Sequence, residues 1–309
     1  MRYADESYEG DPSSMNTILF SKGRALMCML LALVIFAGLV PGPCAFAENA
    51  AEAAESPANL SNWDLENVDS FIENAKVYAE YGGGTLYEND FAFVYIPRLP
   101  HKGTNFGFLF PGNNYGFAAP IQCIEAACEY YFPRSVYIYP KESGLTTLNK
   151  EDGVLFQCGE TLKSISKDIG VIPQNVGVVG YSNGGYTALQ AAAYLIDEFH
   201  LSIPKVTILD MGQAWRKREF LVTEEQAKPM VEAGTEVYHF TRNGETANNN
   251  RAREFMAYGI PVYEVACKYG NHGEILSYAF AYKTIYWAVG DYNRLDKEIY
   301  GEPVLCNPD

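Results

Sequence analysis

Histidine is scarce in this chain, with four among 309 residues, and no Cys-x-x-Cys or His/Cys cluster has metal-ligand spacing. A histidine-rich metal centre is therefore excluded, and no metal or other cofactor is expected. Basic residues are also in short supply: 23 Lys and Arg face 38 Asp and Glu, a net charge of −15. So acidic a surface repels nucleic acid and anionic lipid, and neither is expected as a partner. Gly82-Gly83-Gly84 lacks the Lys-Ser/Thr that would make it a phosphate loop, so it reads as a turn. Internal repeats are absent. Seven cysteines occur, two of them (Cys28 and Cys44) near the N-terminus. The other five are Cys123, Cys128, Cys158, Cys267 and Cys306. An odd number leaves at least one thiol free or paired between chains. Cys123 and Cys128 stand five positions apart on a predicted helix, about 140° apart around its axis, which disfavours a bond within that helix.

Long apolar runs are equally rare, and the one present is Ala25 to Val40. Lys22 and Arg24 precede it, Pro41-Gly42-Pro43 breaks it, and Ala45-Phe46-Ala47 has the small-x-small pattern of a cleavage site. Residues 1–47 therefore read as a signal peptide, with Glu48 as the first mature residue and the mature protein secreted or otherwise extracytoplasmic. The run falls short of the roughly 20 residues that span a bilayer, so no stable membrane span is expected after cleavage. An uncleaved anchor is the alternative. Pro43 before Cys44 disfavours lipid attachment there. The acids among residues 1–14 suit a leader poorly, and Met15 is a candidate true start. Residues 48–62, rich in Ala, Glu, Ser and Pro, read as a flexible linker. Residues 63–309 read as one globular domain, and 48% hydrophobic residues suffice for a large core.

Within that domain short β-branched and aromatic runs alternate with helical stretches. Strands are predicted at 91–96, 106–110, 135–139, 175–179, 206–209, 236–240 and 262–266. Helices are predicted at 118–131, 154–168, 186–199, 224–233, 249–258 and 275–289. Apolar strands separated by helices specify an α/β fold, a mostly parallel central sheet with helices on both faces. In such sheets ligands bind beyond the carboxyl ends of the strands.

The segment Val176 to Gln190 reads VGVVGYSNGGYTALQ. An apolar strand runs into Gly180-Tyr181-Ser182-Asn183-Gly184, and a helix follows. Such a turn lifts a serine above the sheet, and glycines two before and two after let strand and helix approach. The helix N-terminus then presents N–H groups to a developing negative charge. This segment resembles the nucleophile turn of the α/β-hydrolase superfamily, whose chain order is Ser, acid, His.

That resemblance extends over roughly residues 88 to 290 and implies roles for further residues. His272, in a loop after the strand at 262–266, matches the base. It would take the serine proton during attack and return it to the leaving group. Glu245, after the strand at 236–240, is the preferred acid, with Asp210, at the end of the strand at 206–209, as the alternative. The backbone N–H of Asn183 would give one oxyanion donor. In Phe110-Pro111-Gly112-Asn113, Pro111 stands where the family commonly has histidine, and aligning the glycine makes Asn113 the second donor. The activity implied is hydrolysis of a small-molecule or polymer-borne carboxylic ester through an acyl-enzyme. Two rival readings remain: a cell-envelope acyltransferase using the same triad, and a non-catalytic binding protein on a hydrolase scaffold. Tyr115, Tyr181 and Tyr186 would either line an aromatic or sugar-bearing substrate site or pack the core, and Trp215 would belong to a short cap.

Overall fold

A computed structural model describes residues 84–112, 134–211, 221–242, 256–268, 272, 275 and 284–306. The leader, the linker, the helix at 118–131, Cys123, Cys128, Tyr115 and Trp215 lie outside the described residues.

Among the described residues nine strands form one sheet: β1 (Thr85–Glu88), β2 (Ala92–Ile96), β3 (Phe106–Phe110), β4 (Val136–Pro140), β5 (Val176–Tyr181), β6 (Lys205–Leu209), β7 (Glu236–Thr241), β8 (Val262–Ala266) and β9 (Val304–Leu305). Their spatial order is β1-β2-β4-β3-β5-β6-β7-β8-β9. From β4 through β8 every neighbouring pair is parallel. Antiparallel pairing is confined to β1-β2, β2-β4 and β8-β9 at the two edges. The register β3/β5, with Phe106 opposite Val176 and Phe110 opposite Gly180, brings the ends of these two strands level.

Alternation along each strand sorts its side chains between two cores. Val94, Phe106, Phe108, Ile138, Val176, Val178, Val206 and Ile208 pack into one. That core is completed by three helices: α1 (Val154–Ile169), α2 (Gly184–Phe199) and α3 (Glu224–Glu232). Phe93, Tyr95, Tyr137, Tyr139, Val179, Tyr181, Leu209 and Phe240 face the other way, against α4 (Thr284–Val289). The second core is the more aromatic, with Tyr137 edge-on to Tyr286 and Phe240 edge-on to Trp287 and Tyr300. Burial on both faces explains why the central strands read as apolar runs without polar alternation. It also explains α2, whose Ala- and Leu-rich sequence is buried along most of its length.

Helix ends follow local chemistry. Gly170 closes α1 in the left-handed conformation (φ 67°), with its N–H bonded to Ser166. Thr223 opens α3 with a capping box shared with Gln226. At the far end of the sheet from the functional residues, Asp291 accepts hydrogen bonds from Ser135 Oγ (2.6 Å) and Tyr137 Oη (3.1 Å). These tie the segment after α4 to β4. Burial raises the Asp291 carboxyl above its usual range, against the lowering effect of those two donors. Among the described residues, no helix is long and apolar enough to cross a membrane. Cys158 and Cys306 are buried free thiols, and Cys267 is buried as well.

Candidate active site

Ser182 occupies the turn between β5 and α2 with φ of 52°. A side chain in this left-handed region is strained and needs its surroundings to hold it. Its N–H donates to Leu209 O at 2.8 Å, which pins the turn to β6, and its carbonyl accepts from Gly185 N at 3.0 Å. The flanking glycines are required by space. A Cβ on Gly184 would stand 2.4 Å from Phe110 O and 2.6 Å from Pro111 O, so α2 begins against the backbone that leaves β3. A Cβ on Gly112 would meet Ser182 Cβ at 3.0 Å and the Tyr181 ring at 3.3 Å. The chain leaving β3 thus passes directly over the serine. No side chain caps the α2 N-terminus, whose first turn faces the same space.

His272 Nε2 lies 3.0 Å from Ser182 Oγ. On the other side of the ring, His272 Nδ1 lies 2.5 Å from Asp210 Oδ2. Asp210 follows β6 and is 5% exposed. It too has positive φ, 47°, and its N–H donates to Phe240 O at 2.8 Å. Asp is among the few non-glycine residues that visit this conformation readily. Two of the three described non-glycine residues with positive φ are therefore Ser182 and Asp210; the third, His200, closes α2. An ionised carboxylate only accepts, so Nδ1 carries the imidazole proton and Nε2 is left to accept from the serine hydroxyl.

Other groups frame this relay. Arg242, one residue past β7, places Nε 3.6 Å from Asp210 Oδ2, close enough for charge interaction and too long for a good hydrogen bond. His239 lies in β7, and burial lowers its pKa to about 4 although the Asp210 charge pulls it upward. Tyr181, the last residue of β5, donates its phenolic hydrogen to His272 O at 2.7 Å. Its ring also stacks on the imidazole, centroids 5.0 Å apart and planes 26° apart.

The sequence-predicted residues thus divide. Ser182, His272 and Asp210 are brought together, and Asn183 sits at the start of α2. Glu245, the acid preferred from sequence, and Asn113 lie outside the described residues. Asp210, the alternative acid, occupies the position beside Nδ1 that a triad carboxylate needs. Tyr186 is fully buried in the core and Tyr181 is 1% exposed, so both pack inward. Arg242 and the contact between Tyr181 and His272 are additions that sequence reasoning missed. Arg242 follows a strand end, which is the one signal available for it; the Tyr181 contact joins residues 91 positions apart and leaves no local trace.

No family model matches the chain, and no curated protein matches it in sequence. Solved structures similar to it include the S-formylglutathione hydrolase of Agrobacterium tumefaciens. That pair has 12% identity and a TM-score of 0.43, over 67% of this chain and 96% of that one. The carboxylesterase CesB of Bacillus subtilis has 11% identity and a TM-score of 0.40, over 74% of this chain and 100% of that one. The Mycobacterium tuberculosis protein MPT51 has 13% identity and a TM-score of 0.44, over 64% of this chain and 93% of that one. On its own strand order, with a strained serine between a central strand and a helix and the chain order Ser182, Asp210, His272, this chain has the α/β-hydrolase fold.

Proposed function

We propose that this protein is an exported serine hydrolase that cleaves a carboxylic ester through an acyl-enzyme. The observation that carries the reading is the continuous relay Asp210 Oδ2, His272 Nδ1, His272 Nε2, Ser182 Oγ, at 2.5 and 3.0 Å. A serine hydroxyl is not appreciably ionised near neutral pH. His272 Nε2 accepts its proton as Oγ attacks the ester carbonyl carbon and the carbonyl oxygen takes up negative charge. Asp210 holds the imidazole in the required tautomer and stabilises the imidazolium that forms. The Asn183 N–H, at the α2 N-terminus, donates to the oxyanion. The second donor is the Asn113 N–H, a role supported by the close passage of Gly112 over Ser182. His272 then returns its proton to the departing alkoxide, leaving the acyl group on Ser182. In the second half a water gives a proton to His272 and its oxygen attacks the acyl carbon. Collapse releases the carboxylic acid and returns the proton to Ser182.

A binding scaffold would have no need for Ser182 and His272 within hydrogen-bond reach, so the 3.0 Å separation favours the catalytic reading. Export rests on the leader-like residues 1–47. The test uses protein recovered from outside the cell, whose first residue is expected to be Glu48. A fluorophosphonate probe should label this protein and leave the Ser182→Ala variant unlabelled. No labelling of folded wild type would sink the catalytic reading.

A further inference from the structure

We propose that Tyr181 is a positioning residue that sets the distance between His272 and Ser182, an inference that rests on the hydrolase reading above. Nucleophile and base come from remote parts of the chain, 90 residues apart. A shift of about 1 Å between such groups can cost about a hundredfold in rate, so something must hold them in register. Ser182 is held through its own backbone, by the bond from its N–H to Leu209 O. Tyr181 is its covalent neighbour and the last residue of β5, paired in parallel register with Leu209 of β6. Its backbone is thus tied to the neighbouring strand of the sheet.

From that anchor the side chain makes two separate contacts with His272. The hydroxyl donates to the backbone carbonyl at 2.7 Å, which ties the His272 backbone to the end of β5. The ring face stacks on the imidazole, which limits rotation of the ring about its side-chain bonds. The Tyr181 ring has little freedom of its own: it is 1% exposed, and Gly112 packs so near that a Cβ there would stand 3.3 Å from the ring. Serine and histidine therefore depend on two consecutive residues, one through its own backbone and the other through its neighbour's phenol. Phenylalanine at 181 would keep the stacking and the volume and lose the bond to the carbonyl.

The experiment compares wild type and Tyr181→Phe in the rate of fluorophosphonate inactivation, separating the maximal rate from the probe concentration at half-maximal rate. A hydrogen bond of this kind biases a held against a released histidine by about tenfold. The expected result is a maximal rate about tenfold lower, with half-saturation within about twofold of wild type. Positioning through His272 carries a further signature. In a His272→Ala background the same substitution should change the residual rate by less than about twofold, because the group it positions is gone. A merely structural defect in the turn would lower both backgrounds alike. Should Tyr181→Phe not fold, Tyr181→Met fills similar space without an O–H and is read the same way. The proposal is overturned by a folded variant with an unchanged maximal rate, by a change confined to half-saturation, or by equal losses in both backgrounds. Unlabelled wild type would instead overturn the hydrolase reading, and this inference with it.

Discussion

At the scale of single residues, the proposed mechanism turns on which of two carboxylates stands beside His272. Asp210 and Glu245 both follow strands that end on the functional side of the sheet, and a sequence pattern does not tell which one reaches the imidazole. Asp210, with φ of 47° just past β6, sets its Oδ2 2.5 Å from His272 Nδ1. The expected outcome for Asp210→Asn is a kcat about four orders of magnitude lower with the fold retained. An amide can donate to Nδ1 and so favours the wrong tautomer. Glu245→Gln should leave kcat within about twofold. Ester hydrolysis by the two purified variants checks this, and the reverse ranking would reassign the acid. Ser182 and His272 stood out in the sequence, the first because its turn is a local motif and the second because it follows the last parallel strand, and the fold sets them 3.0 Å apart. The Tyr181 phenol did not, because the middle positions of the Gly-x-Ser-x-Gly motif accept many residues, and only the folded chain shows what each one meets.

At the scale of elements, the parallel strands and their helices were the most legible part of the chain. The strands at 106–110 and 262–266 match β3 and β8 residue for residue, and the helix predicted to end near Gly170 is α1. Burial on both faces makes such strands uniformly apolar, with glycine and proline at their ends, so the pattern is strong. The edges escaped notice. β1 has one buried residue in four and β9 is two exposed residues, too short to build a period. Contact between elements was legible only as a need for glycine. Gly184 shows why: the two atoms nearest its missing Cβ are the carbonyl oxygens of Phe110 and Pro111, which cannot swing aside as a side-chain tip would. Gly184→Ala should therefore push α2 away from β3, costing about 1–3 kcal/mol of stability and most of the fluorophosphonate reactivity. Urea unfolding checks the first, and a midpoint equal to wild type would show that the approach is looser than the structure has it.

At the scale of the whole molecule, burial governs how the fold responds to acid. His239 titrates near 6.5 when exposed and is lowered to about 4 in the folded chain. Between those values the unfolded state binds the extra proton, so this contribution to stability is whole above pH 6.5 and is lost as pH falls toward 4. The size is ~3 kcal/mol. His239→Gln should flatten the stability profile in that window, measured by denaturant unfolding across pH, whereas a slope unchanged from wild type would place the acid sensitivity elsewhere. Asp291 acts with the opposite sign. Its folded pKa is raised, so the folded state holds the proton more tightly and this group favours folding as pH drops. By itself the sequence determined what short-range physics decides: the two-sided apolar strands, the helices between them and the Ser182 turn. The tertiary structure alone decided which carboxylate meets His272, how close the chain leaving β3 comes to Ser182, and that Tyr181 reaches across to the histidine. Those are distances between residues tens of positions apart, set by strand order, register and packing, and no local pattern in a chain encodes them.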